Sequence, residues 1–406
     1  MSPWQLLLLS SLSAAFVLTA WRHLRGIRAL RRMPVVEPLP PRHWERDDYW
    51  PMLSVLVEAQ APAGHVEACI ESLRSQDYPR YEILLAVPQR DLASWSWLER
   101  LESENGRLRL IALAGADAPQ ASSAVSIHEA VDHARGSWLL FARGNETFHP
   151  ACLTSLVRET LQHRTDLVGV VPSVAVRPAR ATGLLAVAGA ALGSPILPSP
   201  PFVAQVEDRT DVFLAGDTIL LVRRASYDEV GGFDRSAPSF ARALHLVRNF
   251  REAGLRTRVV LGAEVARVIL DAQSVPVSAR TGETCSSLVG ESRMRWLALS
   301  ANLLLTTLFP FLVLGIVLGL RVSPTGNSLG TLVVAVGLFA SVLQGIHELL
   351  VARTLQLPWM WVLSRATAIP TAAMVVGRSF PRRPRSDHQS QPLTAGLRTD
   401  PAESLR

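Results

Sequence analysis

The chain contains no lysine: all 41 of its basic residues other than histidine are arginine. That excludes Schiff-base lysines and the phosphate-holding lysine of P-loop sites. Charge is sparse too, 19% of 406 residues against 48% hydrophobic, which is rich in apolar residues for a wholly soluble protein. The three cysteines, Cys69, Cys152 and Cys285, stand far apart without a C-x-x-C pair, so neither a disulfide framework nor a zinc site is supported. No G-x-G-x-x-G, Walker or H-E-x-x-H pattern occurs. Gly326–Asn327–Ser328–Leu329–Gly330 spells G-x-S-x-G, but it lies between apolar runs, without the strand–turn–helix setting that exposes a nucleophile.

What is present is unevenly placed. Leu6–Trp21 is an uninterrupted apolar and small-residue run, about 24 Å long as a helix and just sufficient to span a bilayer. No cation precedes it, whereas Arg22, Arg25, Arg28, Arg31 and Arg32 follow, the reverse of a cleavable signal peptide. The positive-inside rule puts the N-terminus outside and the following residues in the cytoplasm of a bacterial inner membrane. Much of the formal charge of +6 adjoins apolar runs. It therefore reads as membrane topology and attraction to anionic headgroups, not as nucleic-acid binding. Leu297–Leu320 is a second expected span. Leu329–Leu350 is a third, with Gln344, His347 and Glu348 near its end. Leu355–Gly377 is interrupted by Pro358, Arg365 and Pro370: as a third C-terminal span it places Arg378, Arg382, Arg383 and Arg385 outside, against the charge rule, and as a re-entrant or interfacial segment it keeps them inside. Glu348 and Arg365 are costly in lipid unless paired; they suit an ion pair between packed helices or a contact with a lipid substrate.

Between the apolar ends, strand and helix patterns alternate. Short buried strands are expected at Leu53–Glu58, Tyr81–Val87, Leu108–Leu113, Trp138–Ala142, Leu167–Val171, Thr218–Val222, Arg258–Leu261 and Val265–Leu270. Val66, Cys69, Ile70 and Leu73 recur at helical spacing. Further helices are expected at Ala93–Glu104, Val125–Ala134, Pro150–Gln162 and Ala241–Ala253, the last closed by Gly254. Gly183–Leu192 suits a core helix or one resting on the membrane. Alternation of this kind predicts an α/β, doubly wound and mostly parallel sheet, with ligands at the carboxyl ends of its strands. The expected organisation is a membrane anchor with basic flank (1–32), a Pro-rich linker (33–51), two halves of one domain (52–172 and 173–296), a C-terminal membrane region (297–377) and a disordered basic and polar tail (378–406).

Four segments carry a family resemblance. The string LSVLVEAQAPAGHVEACIESLRSQDYPRYEILLAV (53–87) resembles the opening of inverting family 2 glycosyltransferases with the GT-A fold. HEAVDHARGSWLLFARGNETFHPACL (128–153) is similar to the family's A-R-G turn, central strand and F-H-P helix start. AGDTILLVRRASYDEVGGFD (215–234) resembles its acceptor-side strand and G-G-F turn, and SRMRW (292–296) its Q-x-x-R-W element before a membrane helix. The layout is most similar to lipid-modifying members of the hopanoid- and carotenoid-associated and ceramide-glucosyltransferase-like kind. The resemblance implies transfer of a sugar from a nucleotide diphosphate to a lipid acceptor, with the first half of the domain holding the nucleotide-sugar and the second facing the acceptor.

The departures bear on activity. The family's acidic residues at the end of the second strand are replaced by Val87–Pro88. Its metal-binding D-x-D falls on Arg143–Gly144–Asn145, its E-D base pair on or near Arg242–Ala243, and the Gln of Q-x-x-R-W on Ser292. A diphosphate leaving group needs its charge neutralised, which Mg²⁺ or Mn²⁺ does through oxygen ligands, and an inverting transfer needs a carboxylate base. Mg²⁺ or Mn²⁺ is expected only if a displaced carboxylate replaces the D-x-D, with Asn145 and Glu146 as its ligands. The catalytic candidates are Glu146, Asp217 and Asp234. Candidates for the nucleotide-sugar are Arg143, Asn145 and Asp91, and Arg295 and Trp296 lie toward acceptor and membrane. Three readings stay open: a degenerate transferase, a non-enzymatic partner of a lipid-modifying enzyme, and a metal-independent transferase using Arg143. Asn145–Glu146–Thr147 also forms a glycosylation sequon, set aside because the loop is expected to face the cytoplasm.

Overall fold

The structure is a computed structural model and describes residues 3–39, 50–59, 61–88, 106–113, 123–177, 219–233, 242–271, 328–354 and 356. In chain order its elements are α1 (Pro3–Arg32), β1 (Leu53–Glu58), α2 (Ala63–Arg74), β2 (Tyr81–Pro88), β3 (Leu108–Leu113), α3 (Ser123–Asp132), β4 (Trp138–Arg143), β5 (Glu146–Phe148), α4 (Cys152–His163), β6 (Leu167–Val171), β7 (Ser173–Arg177), β8 (Ile219–Arg223), α5 (Arg224–Glu229), α6 (Arg242–Glu252), β9 (Thr257–Leu261), β10 (Ala266–Asp271) and α7 (Ser328–Thr354). The expected segments Ala93–Glu104, Gly183–Leu192, Leu297–Leu320 and the tail from 378 lie outside the described residues, as does Leu355–Gly377 apart from Gln356.

Seven strands form the main sheet in the order β3-β2-β1-β4-β8-β6-β9. Every neighbouring pair is parallel except the two made by β8, which runs against β4 and β6. This mixed α/β arrangement, with its largely parallel sheet, is consistent with the GT-A fold. Strand alternation divides the core in two. Leu56, Leu84, Leu139 and Phe141 face the layer of α3, α5 and α6, where Ile127, Tyr227 and Phe250 are buried. Val55, Val57, Leu85 and Leu140 face α2 and α4, against Ile70, Leu73, Leu153 and Leu156. Each such Leu or Ile, fully buried, contributes roughly 1.5–3 kcal/mol.

Two strands escaped the sequence reading. The three residues of β5 are too few to show a period of two, and β7 follows β6 after a single residue. Both exist because β10 pairs with them, antiparallel to β5 and parallel to β7, a ladder assembled from residues about a hundred positions apart. Another difference concerns α4, which starts at Cys152 with Ala151 at its N-cap instead of opening on Pro150. Pro150 remains outside because its carbonyl accepts the Asp77 N–H at 3.0 Å. The Gln76–Pro79 segment is tied to the same end: Gln76 accepts the Leu153 N–H through Oε1 at 3.0 Å, and Asp77 accepts from the Thr154 hydroxyl at 3.0 Å. Q-D-Y-P therefore serves here as a cap for α4, whose own N-cap residue offers no side-chain bond.

Helices α1 and α7 pack together and run in the same direction. The Nδ1 atoms of His23 and His347 lie 3.1 Å apart, and a Cβ at Gly26 would stand 2.9 Å from His347 Nε2. Past that level both helices descend into the domain, where Leu30, Met33, Val351 and Ala352 join the core. Val35 then bridges Leu261 of β9, and Arg267 of β10 donates to Gln356 at 3.4 Å. Away from the seam the pair is apolar and exposed, through Val17, Leu18 and Trp21 on α1 and Leu338, Phe339, Val342 and Leu349 on α7. Among the described residues one segment, Val334–Thr354, is long and apolar enough to cross a membrane by length and composition. Within it, Glu348 is buried and accepts from the Gln344 amide at 3.1 Å; Arg365, its expected alternative partner, lies outside the described residues.

Candidate functional site

The sheet order locates the site. The chain builds β1, β2 and β3 outward in one direction, then returns to lay β4 on the other side of β1. This reversal is a topological switch point, where diverging connections open a crevice at the carboxyl ends of the two strands. Those ends are Glu58 and Arg143, which are register partners. Register partners point to the same side, so both belong to the row containing Leu56 and Phe141, one step beyond the buried core.

The turn after β4 is pressed onto β1. The Gly144 N–H donates to the Glu58 carbonyl at 2.9 Å, and a Cβ at Gly144 would lie 2.6 Å from Val66 Cγ2 and 3.2 Å from the Glu58 carbonyl oxygen. Only glycine permits that approach. Asn145 is held at the far side of the turn, its Nδ2 donating to the Ile269 carbonyl at 3.1 Å while its own carbonyl accepts the Ile269 N–H at 2.8 Å.

Glu146 turns away from Arg143's side. Its carboxylate accepts the Arg143 backbone N–H at 3.0 Å and is 1% exposed. It lies on the α2 and α4 face, close enough to Cys69 and Cys152 to act on both thiols. Burial pushes the Cys69 thiol well up, and the negative charge of Glu146 adds to that. Burial also pushes Cys152 far up, reinforced by Glu146 and then Asp77. The Cys69 Sγ meanwhile donates to the Arg143 carbonyl at 3.5 Å.

The structure thus gathers Arg143, Asn145 and Glu146 into one turn but gives them different surroundings: Arg143 partly buried at the crevice, Asn145 fastened to β10, Glu146 enclosed. Arg242, where the E-D base pair would fall, opens α6. Asp91, Asp217, Asp234, Arg295 and Trp296 lie outside the described residues. Sequence reading missed Glu58, which is 6% exposed. Its signal was a lone charge ending a strand otherwise apolar apart from Ser54.

The G-G-F turn is an aromatic corner. Phe233 stacks edge-on to Phe141 at 4.7 Å and to Tyr227 at 5.7 Å, and the Phe233 N–H donates to the Tyr227 hydroxyl at 3.2 Å. This corner packs against β4 two residues before Arg143, fixing that strand's end from the α5 side.

A doubly wound sheet with a crevice at its switch point defines a class of α/β ligand-binding domain. Within that class, the family model for glycosyltransferase-like family 2 matches residues 51–297, and the chain belongs to that family. Solved structures similar to it include a mannosyltransferase, PcManGT, from Pyrobaculum calidifontis in complex with GDP-Man and Mn²⁺ (16% identity, covering 89% of this chain and 97% of that one, TM-score 0.49). They also include residues 1–349 of TarS from S. aureus, alone and with UDP (12% identity, 73% of this chain and 90% of that one, TM-score 0.39). No curated protein matches the chain.

Proposed function

We propose that this protein binds a nucleotide-diphosphate sugar at the crevice between β1 and β4 and acts at a membrane on a lipid acceptor. The observation carrying this reading is the family match over residues 51–297 combined with Arg143 at the switch point. In the ancestral inverting reaction, the acceptor hydroxyl oxygen attacks the anomeric carbon, a base takes its proton, and the nucleoside diphosphate leaves. Arg143 can take up the charge of that leaving group through planar, paired N–H donors.

A divalent cation does not fit the described part of this turn. A hard cation needs several oxygen ligands. The D-x-D positions instead carry a guanidinium, a glycine and an Asn whose amide is engaged by Ile269, while the Glu146 carboxylate is enclosed on the other face. The same placement favours a second reading, a non-enzymatic partner of a lipid-modifying enzyme, because Glu146 is not free to serve as base.

The parallel course of α1 and α7 supports membrane insertion with the N-terminus and the domain on opposite sides. Two helices that both run toward one domain fit such an insertion. Trp21, exposed with the Arg25 guanidinium 5.5 Å from its ring centroid, suits the bilayer interface.

The test incubates the detergent-purified full chain with radiolabelled UDP-, GDP- and dTDP-sugars and total bacterial lipid, with separate titrations of donor binding. Labelled lipid, lost in Arg143→Ala, is the expected result. Donor binding without any transfer would establish the partner role, and a folded protein that binds no donor would refute the proposal.

A further inference from the structure

Helices α1 and α7 change character at one level. The exposed face of α1 carries Val17, Leu18 and Trp21, and from Arg25 onward Arg28, Arg31 and Arg32. That of α7 carries Phe339, Val342 and Leu349, and then Arg353. His23 and His347 fix the helices against each other. Counted residue for residue along both from that contact, Leu349 falls level with Arg25, and Arg353 falls between Arg28 and Arg31. The apolar surface of the pair therefore ends, and its cationic surface begins, within about one helical turn. No acid occurs on α1, and the acid of α7, Glu348, is buried and accepts from Gln344. Among the described residues the guanidinium groups of Arg28, Arg31 and Arg353 make no hydrogen bond or ion pair.

We infer that Arg28, Arg31 and Arg353 form a belt that seats this protein on the headgroups of anionic phospholipids. This rests on the membrane-insertion reading above. Apolar surface that gives way to unpaired guanidinium groups at one depth on two helices matches a bilayer's passage from acyl chains to phosphates. Trp21, exposed with the Arg25 guanidinium 5.5 Å from its ring centroid, marks the boundary. Arginine is always charged and offers paired N–H donors to phosphate oxygens, so the belt favours an anionic headgroup over a zwitterionic one. The contact acts directly on the domain. Leu30, Val351 and Ala352, interleaved with these arginines, belong to its core. Shortly beyond Arg32 the chain joins β9, where the Val36 N–H donates to the Leu261 carbonyl at 2.8 Å. Headgroups held by the belt thus set the height of the β9 edge over the bilayer that supplies the acceptor.

Native mass spectrometry of the detergent-purified full chain, titrated with phosphatidylglycerol or phosphatidylcholine, tests this. Wild type should bind phosphatidylglycerol at least tenfold more tightly than phosphatidylcholine. Arg28→Ala, Arg31→Ala and Arg353→Ala should each lower that preference by about fivefold. The triple Ala variant should bind the two lipids within twofold of each other at an unchanged melting temperature. The triple Lys variant, which keeps the charge, should retain most of the preference; it also serves if the triple Ala variant melts early. No preference in wild type, a preference that survives the triple Ala variant, or one lost equally in the triple Lys variant would each overturn the inference. Polyglutamate bound in place of phosphatidylglycerol would assign the belt to an acidic protein surface and overturn it too. Release of the wild-type chain from bacterial membranes by alkaline carbonate would overturn the insertion reading, and this inference with it.

Discussion

The Glu146 carboxylate accepts the Arg143 backbone N–H at 3.0 Å, across the turn that ends the central strand. A buried carboxylate that satisfies a main-chain donor is part of the turn's construction, whatever else it does. Glu146→Ala should therefore lower stability by about 1–3 kcal/mol, the cost of leaving a buried donor unpaired. Glu146→Gln, which keeps an acceptor oxygen, should cost less. Denaturant titration of both variants checks the order; equal losses would assign the effect to charge instead.

Glu82 organises the opposite end of the same strands. It accepts the Arg135 N–H at 2.6 Å and the Ser54 hydroxyl at 2.7 Å, and pairs with Arg109 at 3.2 Å, while Ser54 in turn accepts the Gly136 N–H at 2.8 Å. A Cβ at Gly136 would stand 2.5 Å from the Ser54 nitrogen. Gly136→Ala should thus destabilise by about 2 kcal/mol or more, since backbone on both sides must yield. Glu82→Gln should be destabilising as well, with donor affinity unchanged in both because the site lies at the far end of the strands.

Cys69 and Cys152 are buried, and both thiols are pushed up, chiefly by burial and next by Glu146. Native protein at pH 8 should therefore resist iodoacetamide at these two sites, each becoming reactive on denaturation, as site-resolved mass spectrometry would read. The folded state holds these protons longer than the unfolded chain does. The stabilising contribution is therefore complete below the ordinary thiol pKa of about 8.5 and declines as pH rises above it. Glu146→Gln removes one cause of the shift, so that alkaline decline should end at a lower pH.

Gly26 lets α1 and α7 approach at the level of His23 and His347. The 3.1 Å spacing requires one ring to donate and the other to accept, so at least one is neutral. Gly26→Val should part the helices and lower the melting temperature in detergent by several degrees, on the order of 1–3 kcal/mol for overpacking. In intact cells an N-terminal tag should react with a membrane-impermeant reagent, while a cysteine at the exposed Gly106 turn reacts only after permeabilisation. The opposite labelling pattern would invert the topology.

Much of the fold was legible in the residues. The strands of the main sheet are short apolar runs, and a buried strand writes its own signal because both its faces exclude polar side chains. The Gly254 stop was equally local, and the glycine indeed adopts a φ of 75°. Of the small second sheet only β10 was legible; β5 has three residues and acquires its partner only from β10, and β7 follows β6 after a single residue. The site was half legible. Arg143, Asn145 and Glu146 could be named from where the resemblance lays the family's D-x-D, but not the fact that the Glu146 carboxylate and the Arg143 side chain belong to opposite faces.

The sequence alone determined the family and the alternating α/β order, since each of these is a property of neighbours along the chain. Tertiary structure decided which residues become neighbours. Glu58 and Arg143 are 85 residues apart in sequence and become partners only because the chain reverses at β1 to lay down β4 beside it. His23 and His347 meet only because two helices from the ends of the chain pack in parallel. Hydrophobic patterning buries faces without specifying which buried face finds which. Register and crossover direction make that choice, and they placed the end of β1 beside the end of β4.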